Sequence, residues 1–88
     1  MATALEVAKA QVALAEDNET ERVFRFILEK AAAPGWRIVK ALGHDTESTE
    51  ASLDKLLTLG LLEGDARGLD GSYHATSLGY EVKEAISY

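Results

Sequence analysis

The sequence contains no cysteine. Disulfides, thiol catalysis and thiolate metal sites are therefore excluded, while the compartment stays open. It has one proline, Pro34, and no low-complexity stretch, so nothing reads as a linker. No apolar run approaches the roughly 20 residues of a membrane span, and no association with a membrane is expected. The opening residues, MATALEVAKAQVALAEDNE, lack a basic start and an unbroken apolar segment. No secretory signal is expected, and a cytoplasmic location follows by default. No segment repeats. Catalytic signatures are missing as well. Ser48, Ser52, Ser72 and Ser77 belong to no nucleophile motif, and no spacing pairs two carboxylates for acid–base work. Neither an enzyme nor a cofactor is expected.

What is present fits one small domain. The chain has 88 residues, 47% hydrophobic and 27% charged. A domain of that size buries only about 60–65% of its unfolded surface, so a second copy would help it. Leu5, Ala8, Val12 and Ala15 form a thin helical stripe that can serve packing or a dimer contact, the latter preferred. Asn18-Glu19-Thr20-Glu21 resembles a capping box with Asn18 as the cap, opening a new helix, or else a bend in one continuous helix, whose apolar face is Val23, Phe24, Ile27, Leu28 and Ala31. Pro34-Gly35 ends it. Trp36, Ile38, Val39 and Leu42 make a short helix stopped by Gly43. Asp45 caps the next, with Thr49, Leu53, Leu56 and Leu57 on one side and Gly60 as a left-handed terminator. LLEGD and SYHAT read as two short strands around Asp70-Gly71. Thr76 caps a last helix with Leu78, Val82, Ala85 and Ile86 on its apolar side.

These signals predict helices near 3–16, 19–33, 36–42, 46–59 and 77–87, with a hairpin near 61–76. Leu28, Leu42, Leu53, Leu56, Leu57 and Val82 should be buried. The expected fold class is mainly α with a small β-hairpin.

The stretch IVKALGHDTESTEASLDKLLTLGLLE resembles the helix-turn-helix of winged-helix regulators of the ArsR and MarR kind. Leu42-Gly43, Asp45, Thr49 and the leucines from Leu53 through Leu62 carry the match. YHATSLGYEV is similar to that family's wing exit at Tyr73, Thr76 and Gly79. Together they cover roughly residues 20–88 and imply a winged helix-turn-helix with an extra N-terminal helix. The chain then divides into residues 1–17, a dimerisation element, and residues 18–88, the winged-helix domain. The resemblance implies a transcriptional regulator that binds duplex DNA.

Charge points elsewhere. Residues 1–43 hold six acids and six bases. Residues 44–76 hold Asp45, Glu47, Glu50, Asp54, Glu63, Asp65 and Asp70 against only Lys55 and Arg67. Most of the net charge of −6 therefore falls on the recognition helix and wing. Duplex affinity needs cations that neutralise phosphates, and base reading favours Arg or Asn. The expected outward face is Thr46, Glu47, Glu50, Ala51, Asp54 and Lys55, with Arg67, Asp70 and Gly71 on the wing.

Three functions follow. The first, favoured on charge, is a non-catalytic regulatory homodimer using this acidic face on a basic protein partner. The second is a DNA-binding regulator whose cations are Arg22, Arg25, Arg37, Lys40 and Arg67. The third is an acidic decoy imitating nucleic acid. Arg67 could reach a groove, although Asp65 and Asp70 beside it favour a local ion pair. Trp36 reads first as a core-closing residue and second as a binding anchor. His44 and His74 lie in different elements with no matching third ligand, so no metal site is expected.

Overall fold

The computed structural model describes residues 3–65 and 68–88. Five helices surround a small antiparallel sheet: α1 (Ala4–Ala15), α2 (Asn18–Lys30), α3 (Gly35–Leu42), α4 (Thr46–Thr58) and α5 (Ser77–Ile86). The strands are β1 (Ala32–Pro34), β2 (Leu62–Gly64) and β3 (Ser72–Ala75), in the order β1-β3-β2. A 3₁₀ turn, Gly68–Asp70, lies between β2 and β3. The fold is a winged helix: α3 and α4 form the helix-turn-helix, and β2 with β3 forms the hairpin. No helix among the described residues is long and apolar enough to cross a membrane.

Local chemistry explains each boundary. Thr3 caps α1 in a reciprocal capping box with Glu6. Asp45 caps α4, its carboxylate accepting from the Ser48 amide at 2.6 Å. At the far end of α4, the Leu61 amide donates to the Leu56 carbonyl and the Gly60 amide to that of Leu57. This paired closure requires Gly60 at φ +77, where a side chain would be strained. Thr76 caps α5 by accepting from the Gly79 amide at 3.1 Å, and its hydroxyl donates to the Gly60 carbonyl. One threonine thus joins the end of α4 to the start of α5.

The core collects one face from every helix. Val23, Phe24, Ile27, Ile38, Leu53, Leu56, Leu61, Tyr73 and Val82 are fully buried or nearly so. Ala10 and Leu14 join them, so α1 packs on α5 and α2 through one side. Leu53, Leu56 and Val82 are in the predicted core. Leu28, Leu42 and Leu57, also predicted buried, are only half-buried at its rim. Leu28 and Leu42 each line a shallow surface cavity beside arginines, so solvent reaches one side of them.

Three further expectations change. The helix predicted to reach residue 33 ends at Lys30, and residues 32–34 form a strand, with Ala33 opposite Tyr73. Hydrogen bonds to β3 replace another helical turn, and Pro34, which has no amide hydrogen, tolerates the edge. The cap of α2 is Asp17, not Asn18: Asp17 Oδ1 accepts from the Thr20 amide at 3.1 Å. Asp17 is extended, at φ −140 and ψ 92, so α1 and α2 are separate helices. Trp36 does not close the core, being 56% exposed. The inward positions of α3 are taken by Gly35 and Ile38, and Trp36 falls off that face. Gly35 donates to the Gly71 carbonyl at 3.0 Å, and a Cβ there would stand 2.7 Å from Leu69 Cα. The backbone of α3 thereby meets the hairpin loop directly, leaving no room for an indole between them.

Ala31, between α2 and β1, has φ 67 and ψ −41. A Cβ makes that region unfavourable by roughly 1–2 kcal/mol, and glycine relieves it at a smaller entropic cost. Ala31→Gly should raise stability by about 0.5–1 kcal/mol, visible as a rise of a few degrees in Tm. A fall in Tm would show that Ala31 is unstrained.

Candidate nucleic-acid interface

The helix-turn-helix is placed by its contact with α2. At one end of that contact a polar cluster joins the two helices. The Thr20 hydroxyl donates to Asp17 Oδ2 at 2.8 Å and stands 3.3 Å from Ser52 Oγ on α4. Lys55, also on α4, donates from Nζ to the same Asp17 oxygen at 3.2 Å. Thr20 and Ser52 are almost fully buried, and their hydroxyls satisfy one another. Hydrogen bonds from the Thr20 hydroxyl and amide hold the Asp17 carboxyl below its ordinary range; burial opposes them, and the Lys55 ammonium adds a lesser lowering. Nothing in the Asn18 reading anticipated this cluster. The available signal was an acid immediately before a helix whose third residue is Thr20.

Of the predicted recognition residues, Thr46, Glu47, Glu50, Ala51 and Asp54 are exposed. Lys55 is the exception: it is turned toward Asp17 rather than outward alone. With Lys55 paired at the flank of the helix, the fully exposed positions of α4 are neutral or acidic.

The acids of residues 44–76 separate into two groups. Asp45 is a cap. Glu63 sits across the sheet from His74, with Oε1 2.8 Å from its Nε2. Asp65 closes the hairpin by accepting from the Ser72 amide at 2.8 Å. These three shape the fold. Glu47, Glu50 and Asp54 make no hydrogen bond or ion pair among the described residues. Glu47 gains from the positive end of α4, while Glu50 and Asp54 lie beyond its first turn.

The cations separate likewise. Arg25 is engaged, 3.7 Å from Glu21 and with its guanidinium 4.6 Å from the Tyr88 ring centre. Arg22, Arg37 and Lys40 have no partner among the described residues, and all three are exposed. Arg37 and Lys40 are three apart on α3, hence neighbours on its surface. Arg22 and Arg25 share the rim of a shallow cavity with Phe26, Glu29 and Leu42, which brings α2 to the end of α3. Arg67 lies outside the described residues, so its predicted groove contact or ion pair is not placed. Asp70 and Gly71 do belong to the loop that packs on α3. Tyr73, buried beneath that loop, donates from its hydroxyl to the Gly68 carbonyl at 2.8 Å.

His44 lies in the turn between α3 and α4, and His74 on β3. No group of three His, Cys, Asp or Glu side chains among the described residues could hold a metal ion. The surface can therefore offer free cations on α2 and α3 beside free carboxylates on α4.

Asp17 and Asp45 set an acid limit on stability. The Asp45 carboxyl is also lowered, chiefly by hydrogen bonds from Ser48. Groups whose folded pKa is depressed stabilise fully above the unfolded value, near 3.8, and lose that contribution as pH falls through the folded value. Asn caps a helix as well as Asp but carries no charge. Urea midpoints of Asp17→Asn and Asp45→Asn should thus fall less steeply than those of the parent below pH 3.8. Parallel curves for parent and variants would show that these caps do not drive the acid transition.

No family model and no curated protein matches the sequence. Among solved structures, the chain is similar to TubR from Bacillus thuringiensis serovar israelensis pBtoxis, solved bound to 24 bp of tubC. The match covers 92% of this chain and 91% of that one, with a TM-score of 0.75 and 16% sequence identity. At that identity the likeness establishes a shared fold.

Proposed function

We propose that this chain is a non-catalytic winged-helix regulator that binds duplex DNA as a homodimer. The observation that carries the reading is the correspondence, over about nine-tenths of both chains, with TubR on its 24 bp duplex. Free cations supply a physical route. Arg37 and Lys40 on α3, with Arg22 on α2, are placed to neutralise backbone phosphates. The exposed start of α4, at Thr46 and Glu47, approaches the bases. Glu47 can accept from a cytosine amino group once those cations hold the duplex. In this reading α3 supplies affinity and α4 supplies discrimination, with its carboxylates rejecting poorly matched sequences.

Support for the dimer comes from α1. Val7, Ala10 and Leu14 face the core, whereas Leu5 is 64% and Val12 57% exposed. Ala8 and Ala15 are exposed on the same side, completing a stripe the monomer leaves uncovered. Residues 1–17 thereby act as the dimerisation element and residues 18–88 as the winged-helix domain. Light scattering should give twice the 9.5 kDa chain mass, and Leu5→Glu with Val12→Glu should return the monomer while far-UV dichroism stays unchanged. A parent protein of monomer mass at high micromolar concentration would remove the dimer from the proposal.

A second reading is favoured by one observation: Glu47, Glu50 and Asp54 remain unpartnered on α4 while its only lysine is drawn to Asp17. Such a face suits a basic protein partner, and charge would then govern association rate and orientation.

Fluorescence anisotropy with labelled duplexes decides between the two. The duplex reading expects binding that weakens with salt. Arg37→Glu with Lys40→Glu should weaken it by at least about tenfold and flatten the salt dependence by roughly two phosphate contacts. No binding by the parent at low salt, with binding acquired by Glu50→Lys and Asp54→Lys, would replace the duplex reading with the acidic-face reading.

A further inference from the structure

Lys55 is the only cation on α4, and Asp17 holds it. Asp17 belongs to the junction of α1 and α2, outside the helix-turn-helix. We propose that Asp17 is an intramolecular mask: its carboxylate occupies the ammonium that would otherwise be the recognition helix's own phosphate contact. The duplex affinity of the helix-turn-helix is thereby held down from within. The inference rests on the duplex-binding reading.

Geometry makes the mask one-sided. The Asp17 carboxylate is fixed by both donors of Thr20, and Thr20 is locked by burial against Ser52. The anion cannot follow Lys55 outward. Lys55 can leave, because its side chain is 40% exposed and ends a flexible four-carbon stem. Exchange is cheap as well, since an ion pair this open to water is worth at most a factor of about five. The affinity gained by releasing Lys55 is bounded by the same factor.

The cap and the charge of Asp17 can be separated, because asparagine caps equally well. The test is a double-mutant cycle of Asp17→Asn and Lys55→Gln, read by duplex anisotropy over a salt series. The mask predicts that Asp17→Asn tightens binding by up to about fivefold and that this gain disappears when Lys55 is Gln. It also predicts that Lys55→Gln alone leaves parent affinity nearly unchanged. If Asp17→Asn changes nothing, or tightens binding equally with Lys55 and with Gln, the mask is overturned, the latter gain being only a removed negative charge. Weaker binding by Lys55→Gln alone, with the salt slope reduced by about 0.9, overturns it too, because Lys55 would already sit on phosphate. If Asp17→Asn fails to fold, Asp17→Ser, which keeps a capping oxygen without the charge, takes its place in the cycle. Binding by the parent with either of these patterns sinks the mask and leaves the duplex reading standing. Absence of binding by every protein sinks both.

Discussion

Packing between α2 and α4 is the contact on which the remaining elements depend. Val23, Phe24 and Ile27 bring one face of α2 into the core, and Thr49, Leu53 and Leu56 bring one face of α4. Burying a side chain of that size contributes roughly 1.5–3 kcal/mol, so a few such residues exceed any surface charge term in the molecule. The hydrophobic pair sets how far apart the helices lie. Asp17, Thr20, Ser52 and Lys55 add a polar contact at one end of this packing. α3 and the hairpin then fill the two sides of α4, joined to each other where Gly35 meets Leu69 and Gly71.

This arrangement gives charge a geographic order that composition does not show. The helix-turn-helix presents free cations on its first helix and free carboxylates on its second. Acids that look alike in the sequence have different employment. Asp45, Glu63 and Asp65 are spent on a cap, a cross-strand pair and a hairpin closure. Glu47, Glu50 and Asp54 are not. Hydrogen bonding leaves these carboxylates ionised, so the net charge still opposes a duplex, and the case for one rests on the free cations of α2 and α3.

Much of the fold was legible because its signals are local. Asp45, Gly60 and Thr76 act as caps and a terminator through residues within a few positions, and helical spacing located Leu53, Leu56 and Val82. Strand β1 was hidden because AAP has no alternation, and its partner β3 lies some forty residues away. Trp36 was misplaced because its exposure depends on Gly35 meeting a loop from the other end of the chain. The pairing of Lys55 was hidden for the same reason: spacing puts it on the outer half of α4, and only a tertiary contact brings it to Asp17. The candidate interface was the least legible part. Exposure of Glu47 and Glu50 follows from periodicity, but which cations stay free depends on partners such as Glu21 and Tyr88 for Arg25.

The central claim is that α3 holds a duplex while α4 faces it. Amide chemical-shift mapping during titration with a duplex tests this residue by residue. The account predicts perturbations at Arg37, Lys40 and Thr46 through Ser48, with Leu5 and Val12 of α1 unmoved. Perturbations confined to α1 or α5, or none along α3 when the duplex is in excess, would contradict it.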